Sequence, residues 1–244
     1  MTQNLSVTAT FNSSGPPPPP TTGFDSQFNG DADGWLAHSG DWAYDDNYLY
    51  TYGIKGSASS VSYDDKFANF DYQVKMKRFG EDTVANRLII RGKPNPLFSD
   101  NTWSSGYYFQ YTTGGSYSVF KINPNGTLAA LQGWTYASAI VQGSEWNILR
   151  VVASGNNLSF FINGKQVWKG MDLSFSTGQV GIGMYIDPSS ILQEELVVDW
   201  AVLTEGGASP IRSESGIMDT ISPEQQALNE AANLLGRGTI DSSE

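Results

Sequence analysis

The side chains best suited to chemistry in this sequence are ones that grip a ligand. In the stretch 84–91, Arg87, Ile89 and Arg91 share one face of an alternating segment, and in 106–112 Tyr108 and Gln110 do the same. Trp103 stands just before them, and Trp134 and Tyr136 lie on a later segment. Aromatic rings stack on the apolar faces of sugars, and planar polar groups hydrogen-bond to hydroxyls. If these residues share an open sheet face, they form a sugar platform. The structural alternative has the Trp and Tyr filling a core and the arginines solvated or paired with Glu81 and Asp82. One slipped residue inverts a face, so the pattern leaves both uses open.

Groups that cleave bonds are poorly placed by comparison. Glu194-Glu195 and Asp64-Asp65 are adjacent pairs, and in a strand adjacent side chains face opposite ways. Neither pair offers the two carboxyls about 5–5.5 Å apart that a retaining glycosidase needs. His38 is the single imidazole, in Leu36-Ala37-His38-Ser39-Gly40; this turn-like context predicts an exposed loop histidine rather than a Ser-His-Asp member. Asn29-Gly30-Asp31-Ala32-Asp33-Gly34 spaces oxygen donors as a calcium loop does, making Asp31 and Asp33 candidate Ca2+ ligands. Gly40 then stands where the bidentate Glu belongs, which favours a surface turn.

Composition excludes further classes. The 244 residues contain no Cys and one His, so disulfides, thiol nucleophiles and Cys- or His-built metal cages are absent. Any metal would be a hard cation held by oxygen. A formal charge of −11 disfavours nucleic acid and anionic membrane surfaces. No apolar run is long enough for a membrane helix, so membrane insertion is not expected. No secretory leader is visible at the N-terminus.

The elements that must position these groups are strands. In 69–79, Phe70, Tyr72, Val74 and Met76 alternate with Asp71, Gln73, Lys75 and Lys77, the period of a half-buried antiparallel strand. Similar runs occur at 41–52, 58–63, 84–91, 106–112, 115–122, 127–140, 146–154, 158–163, 165–169, 178–186 and 195–203. Asn125-Gly126, Asn163-Gly164 and Gly155-Asn156-Asn157 are turn signals. About a dozen strands without an internal helix predict an all-β, two-sheet antiparallel jelly-roll sandwich over 24–204. Residues 1–23 read as a strand arm at 5–11 followed by a polyproline linker, Pro16 to Pro20. Residues 205–244 read as a tail with a helix near 223–235, capped by Ser222 and Pro223 and apolar at Ala227, Leu228, Ala231, Leu234 and Leu235.

The order Trp146-Asn-Ile-Leu-Arg150, Ile162-Asn163-Gly164, Gly178-Gln-Val-Gly-Ile-Gly183 and Val198-Asp199-Trp200 resembles the back half of concanavalin A-like, laminin G-like jelly-roll domains. The front half, from Phe24-Asp25 through Gly34-Trp35 to Phe67-Ala-Asn-Phe-Asp71, resembles the bacterial branch that holds carbohydrate-binding modules and the 3-keto-disaccharide hydrolase-like (DUF1080-type) group. Asn86 and Arg91 are similar to that group's polar strand. The resemblance implies a sandwich whose concave sheet receives sugars or peptides, and structural calcium near the domain ends, where Asp25 and Asp199 fall. The glycosidases of this fold carry Glu-x-Asp-x-Glu on one strand, a string lacking here.

The expectation is a noncatalytic carbohydrate-binding module of a bacterial extracellular or cell-surface protein. Arg87, Arg91, Trp103, Tyr108, Gln110, Trp134 and Tyr136 would hold the sugar, and Ca2+ at Asp25, Asp31, Asp33 and Asp199 would stiffen the fold. A structural or assembly subunit, self-associating through residues 1–15 and 223–235, is the first alternative. A glycoside-acting hydrolase is the second.

Overall fold

Alternating apolar residues place one face of each strand against the opposite sheet, and two such sheets close over one core. The computed structural model describes residues 22–206. The strand at 5–11, the proline linker and the helix at 223–235 lie outside the described residues. Among the described residues there are fifteen strands and no α-helix: β1 (Gly23–Ser26), β2 (Trp35–Ser39), β3 (Trp42–Tyr44), β4 (Leu49–Thr51), β5 (Ala58–Tyr63), β6 (Phe70–Phe79), β7 (Ala85–Leu97), β8 (Trp103–Thr112), β9 (Ser116–Ile122), β10 (Leu128–Tyr136), β11 (Asn147–Ser154), β12 (Asn157–Ile162), β13 (Lys165–Met171), β14 (Gln179–Tyr185) and β15 (Glu195–Glu205). The first sheet runs β13-β12-β11-β6-β15-β4-β3, with β1 also paired to β15. The second runs β10-β9-β8-β7-β14-β5-β2. All named pairs are antiparallel, as expected for a two-sheet sandwich.

The core follows the period of two. Phe70, Tyr72, Val74 and Met76 on β6 are at most 2% exposed and meet Leu88, Ile90, Tyr107, Phe109, Ile182 and Met184 of the second sheet in one cluster. Asp71 and Gln73, expected to be the wet face of the strand, are equally buried at 1% and 2%. The Asp71 carboxylate receives two hydrogen bonds from Arg150 of the neighbouring β11, Nε to Oδ1 at 2.8 Å and Nη2 to Oδ2 at 2.5 Å. Such a bidentate pair satisfies polar atoms that would otherwise make burial costly.

The strands depart from the expected runs in places: β1 and β2 were not among them, and the run 127–140 is a strand only to Tyr136. The run 41–52 is a hairpin of two short strands, β3 and β4, turned at Asp45, whose Oδ1 accepts hydrogen bonds from the amides of Asn47 and Tyr48, both at 2.8 Å. β7 continues six residues past Arg91, where the expected run 84–91 ended. At Asn163-Gly164 the turn forms as read, with φ of 48° and 76°.

Candidate ligand-binding cavity

A bulge in β7 decides which arginine reaches the open face of the second sheet. Pairing between β7 and β8 is regular from Ala85 to Ile90 and shifts between Ile90 and Lys93. Arg91 sits in that shift with φ at 47°, and a bulge re-aims the side chain it carries. Its guanidinium donates to three carbonyls instead: Ala68 from Nε at 3.1 Å and Nη2 at 2.6 Å, Phe175 from Nη1 at 3.0 Å, and Gly155 from Nη2 at 2.7 Å. Arg91 therefore ties three loops together and is not part of a sugar platform. Asn86, the other residue likened to the family's polar strand, is fully buried and accepts from Arg78 Nη1 at 3.4 Å.

Arg87 does reach the open face. With Tyr108, Gln110 and Trp134 it lines a cavity of about 670 Å³. The strand register makes this set: Arg87 pairs with Gln110 across β7–β8, and Tyr108 with Phe120 across β8–β9. Phe120 and Tyr185 complete the aromatic wall. Pattern reading missed both, although Tyr185 shares a face with Gly183 and Phe120 is the cross-strand neighbour of Tyr108. The segment Phe98–Thr102 closes one side, pinned to β5 by the Asp100 carbonyl, which accepts from the Ala58 amide at 2.8 Å and Ser57 Oγ at 3.0 Å.

The guanidinium of Arg87 lies 4.9 Å from the ring centre of Tyr185 and 5.7 Å from that of Tyr108. Its Nε is buried without a hydrogen-bond partner. Burial lowers its pKa from the ordinary arginine value, and the neighbouring Tyr108 and Asp100 partly offset this. Burial also pushes the Tyr108 phenol well up, so it stays protonated at neutral pH. Gln110 Nε2 donates to Ser118 Oγ at 3.2 Å. Trp134 is 46% exposed and faces Phe120 with ring centres 6.4 Å apart. The cavity's acids are Asp100 and Asp187. Both serve their own turns: Asp100 Oδ1 accepts the Thr102 amide at 3.0 Å, and Asp187 Oδ1 accepts the Ser189 amide at 2.8 Å and its hydroxyl. Those bonds hold the Asp187 carboxyl below its usual range.

Trp103 and Tyr136 stand apart from this set. Trp103, 1% exposed, lies against the open face with Ile89 and Tyr108, and its Nε1 donates to Ser60 Oγ at 2.8 Å. It fills the hollow beside the cavity instead of offering a ring to a ligand. Tyr136 is on β10, 64% exposed and outside the cavity lining. His38 is also not the exposed loop residue expected. It is a partly buried member of β2, with Nε2 2.8 Å from Ser62 Oγ and its ring edge-to-face with Trp103 at 5.7 Å. Burial lowers its pKa, and Asp64 opposes this more weakly. Ser62 is completely buried, so the His38–Ser62 contact presents no nucleophile to a substrate.

Three of the four aspartates assigned to calcium share one hollow, and Asp199 lies apart from it. Asp25, Asp31 and Asp33 line a second hollow of about 360 Å³. There Asp25 accepts from Gln27 Nε2, and Asp31 Oδ1 accepts the Asp33 amide at 3.4 Å. Asp199 pairs with Lys75 at 3.1 Å. Among the described residues, no group of three or more His, Cys, Asp or Glu could hold a metal ion.

Solved structures share this architecture. The carbohydrate-binding module CBM66 from Bacillus subtilis superposes with a TM-score of 0.51 at 18% identity, covering 68% of this chain and 92% of that one. A β-glucanase from Bacillus licheniformis gives 0.57 at 10% identity, covering 75% and 98%. A protein of unknown function with a galectin-like fold from Bacillus subtilis gives 0.57 at 11%, covering 75% and 94%. At these identities the likeness is one of fold, and it bears out the jelly-roll resemblance. No curated protein matches the chain. The family model for the 3-keto-alpha-glucoside-1,2-lyase-like domain matches residues 23–188, more than half of the sequence, and the chain belongs to that family.

Proposed function

We propose that this domain binds carbohydrate in the cavity on the open face of its second sheet and does not cleave it. The observation that carries this reading is the lining. It combines aromatic rings, Trp134, Tyr185 and Phe120, with donors on Arg87 and Gln110, while each of its two acids has one oxygen bound to its own turn. Rings and fixed donors are what sugar recognition uses, whereas a general base is a His, carboxylate or Lys poised for proton transfer, and the lining holds no His or Lys and no acid turned to that use. CBM66 and the β-glucanase, two proteins of this fold named for carbohydrate, support the ligand class. A glycan array followed by isothermal titration tests it. Binding that weakens on Trp134→Ala, with every glycan recovered at its original length, is the expected outcome; silence across neutral and charged polysaccharides alike would sink it.

The family match favours a second reading, elimination from a 3-keto-α-glucoside. In that reaction a base takes the C2 proton, acidified by the adjacent ketone, and the C1–O bond breaks as the double bond forms, with the leaving group taking up a proton. Arg87 would face the developing enolate oxygen. Incubation with a 3-keto-glucoside separates the two readings, because elimination produces a conjugated enone that absorbs in the near ultraviolet. The assembly alternative rests on residues outside the described ones.

A further inference from the structure

We infer that the sugar bound in this cavity carries a carboxylate, and that this carboxylate pairs with Arg87; the inference rests on the carbohydrate reading above. Four arginines lie among the described residues, and the contrast between them carries the argument. Arg78 is bound to Glu194, with Nε and Nη2 each 2.8 Å from Oε2. Arg150 is bound bidentately to Asp71. Arg91 spends its donors on three backbone carbonyls. Arg87 alone among them makes neither a hydrogen bond nor an ion pair within the described protein, its neighbours being the rings of Tyr108 and Tyr185.

A guanidinium is a planar fork of five N–H donors. In Arg87 none of them is used within the described protein, and the Nε–H is buried, a costly arrangement unless something else supplies the acceptor. The two rings lie 4.9 and 5.7 Å from the fork and form no hydrogen bond with it, which leaves it open to a planar, two-oxygen partner. Neutral sugar hydroxyls would satisfy some donors but leave the charge uncompensated. A carboxylate does both. Asp100 acts on Arg87 electrostatically without a hydrogen bond, and its Oδ1 is already engaged by the Thr102 amide.

Charge sets an upper limit on how acidic the ligand is. Asp100 and Asp187 flank the cavity, and the chain carries a formal charge of −11. A densely charged polyanion would be repelled at every position except the one beside Arg87. The ligand class is therefore a glycan with an isolated uronic acid unit, its carboxylate at Arg87 and a neighbouring neutral ring against the exposed indole of Trp134.

The test compares polysaccharides that differ only at the carboxyl group. Glucuronoxylan and other oligosaccharides that carry isolated uronic acid units are titrated into the full chain alongside the carboxyl-reduced form of each. The expected result is that at least one uronate ligand binds tenfold or more tighter than its reduced form, that added salt weakens this binding, and that Arg87→Met abolishes the preference. Equal or tighter binding of the reduced forms, a preference for sulfated over carboxylated glycans, or an unchanged preference in Arg87→Met would overturn the inference. Neutral glycans that bind with Trp134 dependence and show no uronate preference would overturn it while leaving the carbohydrate reading intact. If no glycan of any charge binds, both fall. Should Arg87→Met fail to fold, the Arg87 Nε–Hε cross-peak of the wild-type chain is followed instead; it must shift with the uronate oligosaccharide and not with its reduced form, and an unmoved peak counts against the inference.

Discussion

Trp103 lies across Gly181 so closely that a Cβ on that glycine would come within 2.5 Å of the indole. The glycine-alternating strand 178–183 thus has a physical reason: it gives the ring a flat lane on the open face, and Gly92 does the same on β7, where a Cβ would also meet the indole at 2.5 Å. Gly181→Ala should press on both the ring and the Val61 carbonyl, which such a Cβ would also meet at 2.5 Å, costing about 1–3 kcal/mol as overpacked sites do. Urea denaturation reads this as a lower midpoint at unchanged slope. A midpoint equal to wild type would show that the indole moves without resistance and that the glycine lane does not fix it.

The loop leading into β15 is held by a buried ion pair. Glu194 accepts from Arg78 Nε at 2.8 Å, and its Oε1 takes the Glu81 amide and the Ser190 hydroxyl, both at 3.0 Å. Both side chains are fully buried. Glu194→Gln should destabilise the domain by about 3–5 kcal/mol, because it strands a buried cation. Replacing both partners, as Arg78→Met with Glu194→Leu, should recover much of that loss. Denaturation midpoints of the single and double variants decide it; a double variant no better than the single would mean that the bonds to Glu81 and Ser190 carry the energy.

The architecture was legible because one variable, the period of two, carries it. Phe70 to Met76 and the turn at Asn163-Gly164 could be read directly. The site was legible only where that period holds unbroken. Arg87, Tyr108 and Gln110 sit in regular ladder and come together as their spacing requires. Arg91 is only four residues from Arg87, yet a bulge intervenes, and no local signal beyond the following glycine marks it. Trp103 followed the correct face and still failed as a platform, since whether a ring plugs a hollow or lines it depends on Gly181, 78 positions away. His38 looked like a loop residue because β2 is a short edge strand whose pairing partner, β5, begins twenty residues later.

The placement of His38 gives a signed pH dependence. Burial holds its folded pKa below 6.5, so near and below that pH the unfolded chain binds more protons than the folded one. Stability from this group is fully present above pH 6.5 and is lost as pH falls through the folded pKa. The thermal midpoint should therefore drop as pH is lowered from about 7.5 to 5.5, and His38→Gln should flatten that slope. Parallel slopes in the two proteins would assign the pH dependence to other groups.

Trp134 and Tyr136 provide an internal comparison for the binding site. They are two residues apart on β10, both exposed, at 46% and 64%, but only Trp134 lines the cavity. A ring that stacks on a sugar contributes about 0.5–1.5 kcal/mol beyond the area it covers, by analogy with aromatic pairs. Trp134→Ala should weaken binding of any glycan held in the cavity by roughly tenfold, since about 1.4 kcal/mol corresponds to that factor. Tyr136→Ala should leave affinity unchanged, because the ring reaches Gln142 Nε2 at 3.5 Å and not the cavity. Neither change touches the main core cluster, so both variants should keep the wild-type denaturation midpoint, and titration calorimetry then reads contact alone. If Tyr136→Ala lost affinity while Trp134→Ala kept it, the ligand would lie over the rim of β10, and Arg87 would be facing water instead of sugar.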